Sequence, residues 1–473
     1  MSSSSSEEEK QEELLQHFTT RAVGGTEYSW CKAVPGGTGI TVLGLLLSKP
    51  PHIPKLQTVL RNLQNSNPIL RSTIHFDSTA NSFHFRTPPT SNVEIHSFDL
   101  QFTSGIPGCG SGDADADFHL ILERELNRNT WRDPSDDGYG VLCVSVYAIS
   151  ESRWGVFLRL HTSGCDRAAA VTLLRELLEK VGCGGESNGE TEEKGMGMAI
   201  EDLIPVAKRN KPFWARGLDM LGYSLNSFRL GNLDFVDADS PRSSKVVRLQ
   251  LDAHHTRLIV AGCKSREIKL CAALAAAGMI ASRASKNLLS YQTEKYGVVT
   301  LIDCRPLLDP VLSSNHLGFY HSAILNTHDV CGEVSLWDLA KRSYMAFANA
   351  MNCNKHFSDM SDLNYLMCKA IENPGLTPSS SMRTALISLF EDPVIDDSSD
   401  LHTELGLEDY VGCASAHGVG PSIAIFDTIR NGMLDCACVY PSPLHSKEQV
   451  QELVDHMKKI LVGACNIQDQ QSN

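Results

Sequence analysis

Apolar residues recur along the first half of the chain with two different periods. Residues 40–47 are apolar almost without interruption and predict a buried strand, whereas residues 53–70 carry apolar side chains at helical spacing. Segments 73–76 and 82–86 flank a turn-rich stretch and predict two short paired strands. Further on, the same patterns predict strands at 140–149 and 153–161 and a helix at 166–181.

The second half continues this mixture. Predicted strands are 246–251, 297–303, 422–429 and 436–440, and predicted helices lie within 256–285, 336–350 and 447–462. The elements interleave without a regular strand–helix–strand rhythm, and no segment repeats at a fixed period. The pattern therefore predicts an α/β (α+β) protein with two sandwich-like halves, in which sheets are flanked by helices.

Three polar segments divide the chain. Residues 1–20 begin with a serine and glutamate run and predict a disordered acidic tail, and residues 183–197, rich in Gly, Glu, Ser and Asn, predict a flexible loop. Residues 234–245 are polar, contain Pro241 and predict a crossover linker. The expected lobes are therefore 21–233 and 246–473.

Composition narrows the class of protein. Of 473 residues, 42% are hydrophobic and 21% are charged, which is enough to bury a large core. The net charge of −14 disfavours nucleic acid or an anionic membrane as a partner, because both attract positive surfaces. Fifteen scattered cysteines indicate reduced thiols, and no targeting segment or apolar run of about 18 residues is present. We expect a cytoplasmic protein with no membrane span.

The stretch Arg159-Leu-His161-Thr-Ser-Gly-Cys-Asp166-Arg167 holds the most informative chemistry. It places a histidine at the end of a predicted strand and an aspartate at the start of the next helix. Such an aspartate caps a helix by accepting hydrogen bonds from its first amides. Strand alternation puts Thr162 on the opposite face from His161 unless a bulge intervenes.

This stretch resembles the HHxxxDG motif of the superfamily of condensation domains, carnitine-type acyltransferases, plant BAHD acyltransferases and mycobacterial Pap-type acyltransferases. Residues 21–85, with Asn67-Pro-Ile-Leu-Arg71, resemble the opening of a condensation domain. Thr300-Leu-Ile-Asp303-Cys-Arg305-Pro306 and Asn315-His-Leu-Gly318 resemble its "vdlR…lGN" segment, and Ser415-Ala-His417-Gly418 resembles its "SNxG" region. Past residue 20, these segments follow one another in the same order as in the superfamily. The chain is therefore similar to the plant type of condensation-domain-like protein.

The resemblance implies two chloramphenicol-acetyltransferase-like lobes with a tunnel at their interface. The second histidine of the motif would take a proton from an acceptor hydroxyl or amine, which attacks a thioester held on coenzyme A or a carrier protein. The resemblance also implies that Asp166 is mainly structural and forms an ion pair with Arg305. No bound cofactor is expected, because acyl-CoA acts as a cosubstrate, and a monomer supplies both lobes.

The chain departs from this pattern at the expected base. With Asp166 aligned, His161 matches the first histidine, Thr162 matches the second, and Arg167 replaces the glycine. A threonine hydroxyl has no useful basicity near neutral pH, although it can orient a substrate. His161 is then either a hydrogen-bonded structural residue or the base, and His417 could supply a base from the other lobe.

Other candidate residues have both a functional and a structural interpretation. Two basic clusters could bind coenzyme A phosphates or be solvated faces: Lys208, Arg209, Lys211 and Arg216, and Lys264, Arg266 and Lys269. Cys165 is a buried thiol or a nucleophile at a helix start. The pair His254-His255 precedes a predicted helix and favours a capping or surface role, and Cys436-Ala-Cys438 lacks the further ligands of a zinc site.

These features lead to two functional hypotheses. The first is an acyltransferase that moves an acyl group from coenzyme A, or another thioester, to a small-molecule hydroxyl or amine. The alternative is a catalytically degenerate relative that binds a metabolite or partner protein, or that catalyses a reaction needing no histidine base. The sequence contains neither a GxxxxGK[ST] loop nor GxGxxG after a strand, which disfavours nucleotide hydrolysis and dinucleotide chemistry.

Overall fold

The structure, a computed structural model, describes residues 18–110, 112–132, 139–182, 195–209, 230–286 and 288–472. Its strands are β1 (Thr19–Ala22), β2 (Thr38–Leu47), β3 (Thr73–Asp77), β4 (Ser82–Thr87), β5 (Ile95–Phe98), β6 (Tyr139–Gly140), β7 (Leu142–Ser150), β8 (Arg153–His161), β9 (Ser243–Leu251), β10 (Glu294–Asp303), β11 (His321–Val330), β12 (Arg383–Phe390), β13 (Val394–Asp396), β14 (Leu407–Ala416), β15 (Gly420–Arg430) and β16 (Met433–Ser442).

The described helices connect and cover these strands. They are α1 (Gly25–Ala33), α2 (Ile53–Ser66), α3 (Leu100–Ser104), α4 (Ala114–Asn127), α5 (Arg167–Gly182), α6 (Ile200–Leu203), α7 (Val206–Arg209), α8 (Ala253–Ser265), α9 (Leu270–Ala284), α10 (Leu336–Asn352), α11 (Lys355–Ser358), α12 (Met360–Glu372), α13 (Ser399–Leu405) and α14 (Lys447–Ser472). None of the described helices is long and apolar enough to cross a membrane.

A five-stranded mixed sheet forms the core of the N-terminal half, in the order β14-β2-β8-β7-β5. Its centre is the antiparallel pair β2–β8, in which Ile40 lies opposite His161. The edge strand β14 comes from the C-terminal half and places Cys413 opposite Val42. The first sheet is therefore completed by a strand from the other end of the chain.

A larger mixed sheet forms the C-terminal half, in the order β11-β10-β12-β15-β16-β9, with β13 added beside β15. A small antiparallel sheet, β1-β4-β3-β6, lies in the N-terminal half. The expected α/β (α+β) class, with two lobes and sheets flanked by helices, is confirmed.

Each large sheet buries its own apolar core under helices. In the N-terminal half, Leu60 of α2 and Leu173 of α5 share a buried cluster with Leu158 of β8. In the C-terminal half, Leu274 of α9 shares one with Ile387 of β12. Such burial stabilises a fold by about 1.5–3 kcal/mol for each large apolar side chain. The cores hold β8 and α5 rigidly on either side of the turn that joins them.

Several boundaries differ from the predictions. The helix predicted over 53–70 ends at Ser66, because the residue before Pro68 is disfavoured in a helical conformation, and a 3₁₀ turn follows at Pro68–Arg71. Strand β9 begins at Ser243, inside the expected linker 234–245, because residues 243–245 pair with β16. Likewise β1 begins at Thr19, inside the expected tail. Residues 1–17 and 183–194, predicted as tail and loop, lie outside the described residues.

Candidate functional site

The turn between β8 and α5 carries the site. The strand ends at His161, a 3₁₀ turn covers Thr162–Gly164, and α5 begins at Arg167. Asp166 precedes the helix, and its Oδ1 accepts a hydrogen bond from the amide of Ala169 at 2.8 Å. The aspartate therefore caps α5, as helix-capping chemistry requires.

Asp166 also joins the two halves of the molecule. The guanidinium of Arg305 lies 3.0 Å from Asp166 Oδ2 and donates to Oδ1 at 3.1 Å, and both side chains are almost fully buried. The amide of Tyr320 donates to Oδ2 at 2.7 Å. Burial acts to raise the pKa of Asp166, but Arg305 and His321 outweigh it and hold that pKa well below its usual range. The carboxylate is consequently held charged and fixed in position.

A cavity of about 160 Å³ lies beside this pair, between the two large sheets. Its walls are mostly apolar and come from both halves: Trp30, Leu43, Leu174, Phe319, Phe390 and Phe426. The polar groups at the wall include Thr162, Asp166, Arg167 and His321. An apolar cavity with a few convergent polar groups is the usual form of a small-molecule site.

Thr162 reaches the cavity, but its hydroxyl is already engaged. It donates to the carbonyl of Gly39 at 2.6 Å and lies 2.9 Å from the hydroxyl of Thr41. Gly39 has a φ of +91°, and a Cβ there would come within 2.8 Å of the ring of Trp30. The Thr162 hydroxyl is therefore held by two hydrogen-bond partners.

His161 lies away from the cavity. Its Nδ1 accepts from the amide of Ser163 at 3.2 Å and lies 2.7 Å from the hydroxyl of the same residue, and its ring packs edge-on against Trp131. Burial lowers the pKa of His161 to about 3. It is neutral at physiological pH and sits in the core.

His417 is also absent from the cavity wall. Its Nδ1 lies 3.0 Å from the hydroxyl of Ser244, and its ring fills the space beside Gly37. Burial, with Arg383 and Arg132, lowers the pKa of His417 to about 4. Gly37 has a φ of +94° and no room for a Cβ, so glycine at this position accommodates the ring.

The sequence analysis did not identify His321, one of the two histidines, with His402, among the described residues of the cavity wall. It is the first residue of β11, and its Nδ1 lies 2.9 Å from Asp166 Oδ2. The contact is short, although the ring N–H does not point along the line between the two atoms. A signal in the sequence was available, because His321 follows the Gly318 segment that the resemblance had marked.

Arg167, the first residue of α5, crosses from one half to the other. Its guanidinium lies 4.1 Å from the ring centroid of Phe390 and donates to Asp427 Oδ1 at 3.1 Å. Burial lowers the pKa of Arg167, although Asp427 opposes that effect. An arginine over an aromatic face with a buried carboxylate partner forms a fixed wall of the cavity.

The proposed phosphate-binding residues are spread over the surface. Arg209 ends α7 and lines a second groove of about 730 Å³, together with Tyr28 and Lys369. Lys208 precedes it in the same short helix, whereas Lys264 is in the last turn of α8 and lines neither opening. Lys211 lies outside the described residues. The structure thus brings Lys208 and Arg209 together and leaves Lys264 apart.

The surroundings of the remaining candidate residues indicate structural roles. Cys165 is fully buried, and burial raises the pKa of its thiol, which argues against a nucleophile. His255 lies 2.8 Å from the helix-capping Asp252. Cys436 and Cys438 are buried in β16, and the described part of the chain holds no group of three or more potential metal ligands.

The fold with this cavity is the chloramphenicol-acetyltransferase-like fold of condensation domains and related acyltransferases. The structure of TRI3 trichothecene 15-O-acetyltransferase from Fusarium sporotrichioides is similar with a TM-score of 0.71 and 12% identity, covering 94% of this chain and 95% of that one. The first condensation domain of the CDA synthetase is similar with a TM-score of 0.64 and 14% identity, covering 94% and 96%.

Polyketide synthase associated protein 5 from Mycobacterium tuberculosis is also similar, with a TM-score of 0.64, 14% identity and coverage of 94% of this chain and 98% of that one. Neither a protein-family profile nor a curated protein sequence matches the chain. At these identities the likeness establishes the fold, and the activity has to be argued from the site.

Proposed function

We propose that the protein transfers an acyl group from a thioester, with acyl-CoA as the donor, to a hydroxyl or amine of a small molecule. The observation that carries this proposal is the cavity between the two sheets, where a fixed Asp166 carboxylate and polar side chains meet apolar walls. The fold, which the chain shares with a named acetyltransferase and with condensation domains, supports the same chemistry.

In this reaction the acceptor oxygen or nitrogen attacks the thioester carbonyl carbon, the carbon–sulfur bond breaks, and the acceptor's proton ends on the departing thiol. Apolar walls from Leu43, Leu174 and Phe426 would hold the reactants and exclude water, which prevents hydrolysis of the thioester. Holding donor and acceptor together lowers the barrier substantially even without a base. Thr162 can orient a reactant through its oxygen, but it does not remove a proton.

The phosphates of coenzyme A require positive charge outside the cavity. Arg209 lines the second groove and suits this role, with Lys208 before it in the same short helix and Lys211 after it in the sequence. Lys264 is a poorer candidate because it lines neither opening. Charge reversal at Arg209 is therefore expected to raise the KM for acyl-CoA without affecting a short thioester that lacks phosphates.

A second candidate function is ligand binding without transfer. Thr162 stands where the family has its base, and neither His161 nor His417 lines the cavity. A protein with the same cavity and no base would retain a small apolar metabolite and leave it unchanged. This alternative predicts that the protein releases no free thiol from any thioester donor.

The deciding experiment is a screen of the purified protein with acyl-CoA donors from acetyl to palmitoyl and mixed hydroxyl and amine acceptors, with release of free thiol as the readout. An Ala170→Phe variant, which fills the cavity wall, serves as the matched control and should abolish release. Thiol release by the wild type, but not by Ala170→Phe, supports transfer. Absence of release with every donor, together with a metabolite that copurifies with the wild type, would establish the binding function instead.

A further inference from the structure

His321 occupies a particular place in the cavity wall. It begins β11, opposite Asp303 at the end of β10, and is 5% exposed. Phe390 and Phe319 flank it, with ring centroids 5.7 and 6.3 Å from that of His321. All three side chains line the cavity, so the imidazole stands between two apolar walls of the site.

The two ring nitrogens of His321 have different surroundings. Nδ1 lies 2.9 Å from Asp166 Oδ2, close enough for a charge contact but not aligned for a hydrogen bond. No hydrogen bond to Nε2 is present among the described residues. Asp166 cannot turn away, because Arg305, Tyr320 and the start of α5 hold both of its oxygens. The carboxylate therefore favours the proton on Nδ1, which leaves Nε2 as the nitrogen open to a molecule in the cavity.

We propose that His321 is the general base of this site and replaces the histidine that the motif lacks at Thr162. This inference rests on the proposed acyl transfer. The arrangement uses the logic of a catalytic triad, in which a buried carboxylate fixes an imidazole through one nitrogen and the other nitrogen takes the proton. Here the carboxylate is the motif aspartate, and the imidazole comes from the opposite half of the molecule.

The proposed proton transfer needs no reactant other than the acceptor, the thioester and His321. Nε2 of His321 removes the proton from the acceptor hydroxyl as its oxygen attacks the carbonyl carbon of the thioester. The carbon–sulfur bond then breaks, and the leaving thiolate takes the proton back from Nε2, which restores the neutral ring. General-base assistance of this kind is worth about 10²–10⁴ in rate.

His402 is the other histidine among the described cavity residues, and its surroundings differ. Its Nε2 lies 3.2 Å from the hydroxyl of Ser398 and 3.5 Å from Asp396 Oδ2. Because that nitrogen is already engaged, His402 is suited to a structural role. It provides a matched control, since it is a buried histidine at the same cavity beside a carboxylate.

The first test uses bromoacetyl-CoA, whose bromide-bearing carbon alkylates an accessible neutral imidazole: a nitrogen–carbon bond forms, bromide leaves, and the ring proton passes to water. Peptide mass spectrometry should locate the label on His321 in the wild type and in His402→Asn. A wild-type protein labelled on its cysteines but not on His321 would overturn the inference, whether or not transfer occurs.

The second test compares transfer rates. His321→Asn keeps an N–H donor toward Asp166 but removes the basic Nε2, so thiol release should fall at least about a hundredfold. His402→Asn should stay within severalfold of the wild type. An active wild type with an equally active, folded His321→Asn variant overturns the role of His321 alone. A wild type that releases no thiol with any donor overturns the proposed function itself.

Discussion

Asp166 and Arg305 are separated by 139 residues in the chain, yet their carboxylate and guanidinium meet at 3.0 Å at the junction of the two halves. Asp303 Oδ1 also accepts a hydrogen bond from the guanidinium at 2.9 Å. Burial acts to lower the pKa of Arg305, but Asp166 and Asp303 outweigh it and raise that pKa above its usual range. The pair stays ionised and ties Asp166, which lines the cavity, to the other half of the molecule.

Arg305→Met should therefore destabilise the protein strongly. Removing one partner of a buried ion pair costs about 3–5 kcal/mol in the free energy of unfolding, because the other charge is left buried alone. Urea denaturation of the variant and of Asp166→Asn/Arg305→Met would measure it, and the double variant should recover part of the loss. Lys369→Met, at the exposed pair Lys369–Glu372, is the control and should change little. An Arg305→Met variant as stable as the wild type would contradict the role of the pair.

His161 should make the stability of the protein depend on pH in mild acid. Burial lowers its pKa to about 3 in the folded chain, whereas an unfolded histidine titrates near about 6.5. Between these values the unfolded state binds a proton that the folded state does not. The free energy of unfolding should therefore fall with decreasing pH, by up to about 1.4 kcal/mol per pH unit for this group.

Asparagine at this position can still accept a hydrogen bond from Ser163 but cannot titrate. Urea denaturation of His161→Asn across a pH series should accordingly show a shallower decline than in the wild type below pH about 6.5. His254→Asn, at an exposed position, is the matched control. Equal slopes for the wild type and His161→Asn would show that this ring is not the source of the acid sensitivity.

Thr162→Val should separate the structural role of the hydroxyl from a chemical one. The change leaves the carbonyl of Gly39 without its 2.6 Å donor, and an unsatisfied buried group costs about 1–3 kcal/mol. Thiol release should nevertheless fall by less than about tenfold, because the hydroxyl is not a base. Stability and transfer rate are measured on the same preparation. A folded Thr162→Val variant without transfer activity would place the hydroxyl in the chemistry.

Arg167→Gly introduces the glycine of the HHxxxDG motif that this segment resembles, and it should weaken the contact between the halves. It leaves Asp427 buried without a cation, which is expected to cost about 3–5 kcal/mol. Because burial already raises the pKa of Asp427, neutralising that residue is tolerable. The double variant Arg167→Gly/Asp427→Asn should then regain much of the stability in thermal denaturation. No recovery in the double variant would show that stacking on Phe390 is the main contribution of Arg167.

Local patterns predicted most strands of the two large sheets and missed several, among them the edge strands β11 and β14 and the interior strand β12. The predicted strand 153–161 agrees with β8, whose residues are almost all buried. Strands β11, β12 and β14 were not predicted, since polar and small residues interrupt their apolar runs. Pairing with β2 stabilises β14 as a strand. Because β2 and β14 are far apart in the chain, this pairing cannot be predicted from a short stretch of sequence.

The sequence by itself determined many of the local elements, the turn between β8 and α5, and the presence of a threonine where the resemblance leads us to expect a base. The resemblance also pointed to Arg305 as the partner of Asp166. Only the tertiary structure decided which histidines reach the cavity. His161 and His417 are close in sequence to the family landmarks but turn into the core, whereas His321 approaches Asp166. The reason is geometric, because the packing of two sheets against each other, and not the order of residues along one strand, sets which side chains meet across their interface.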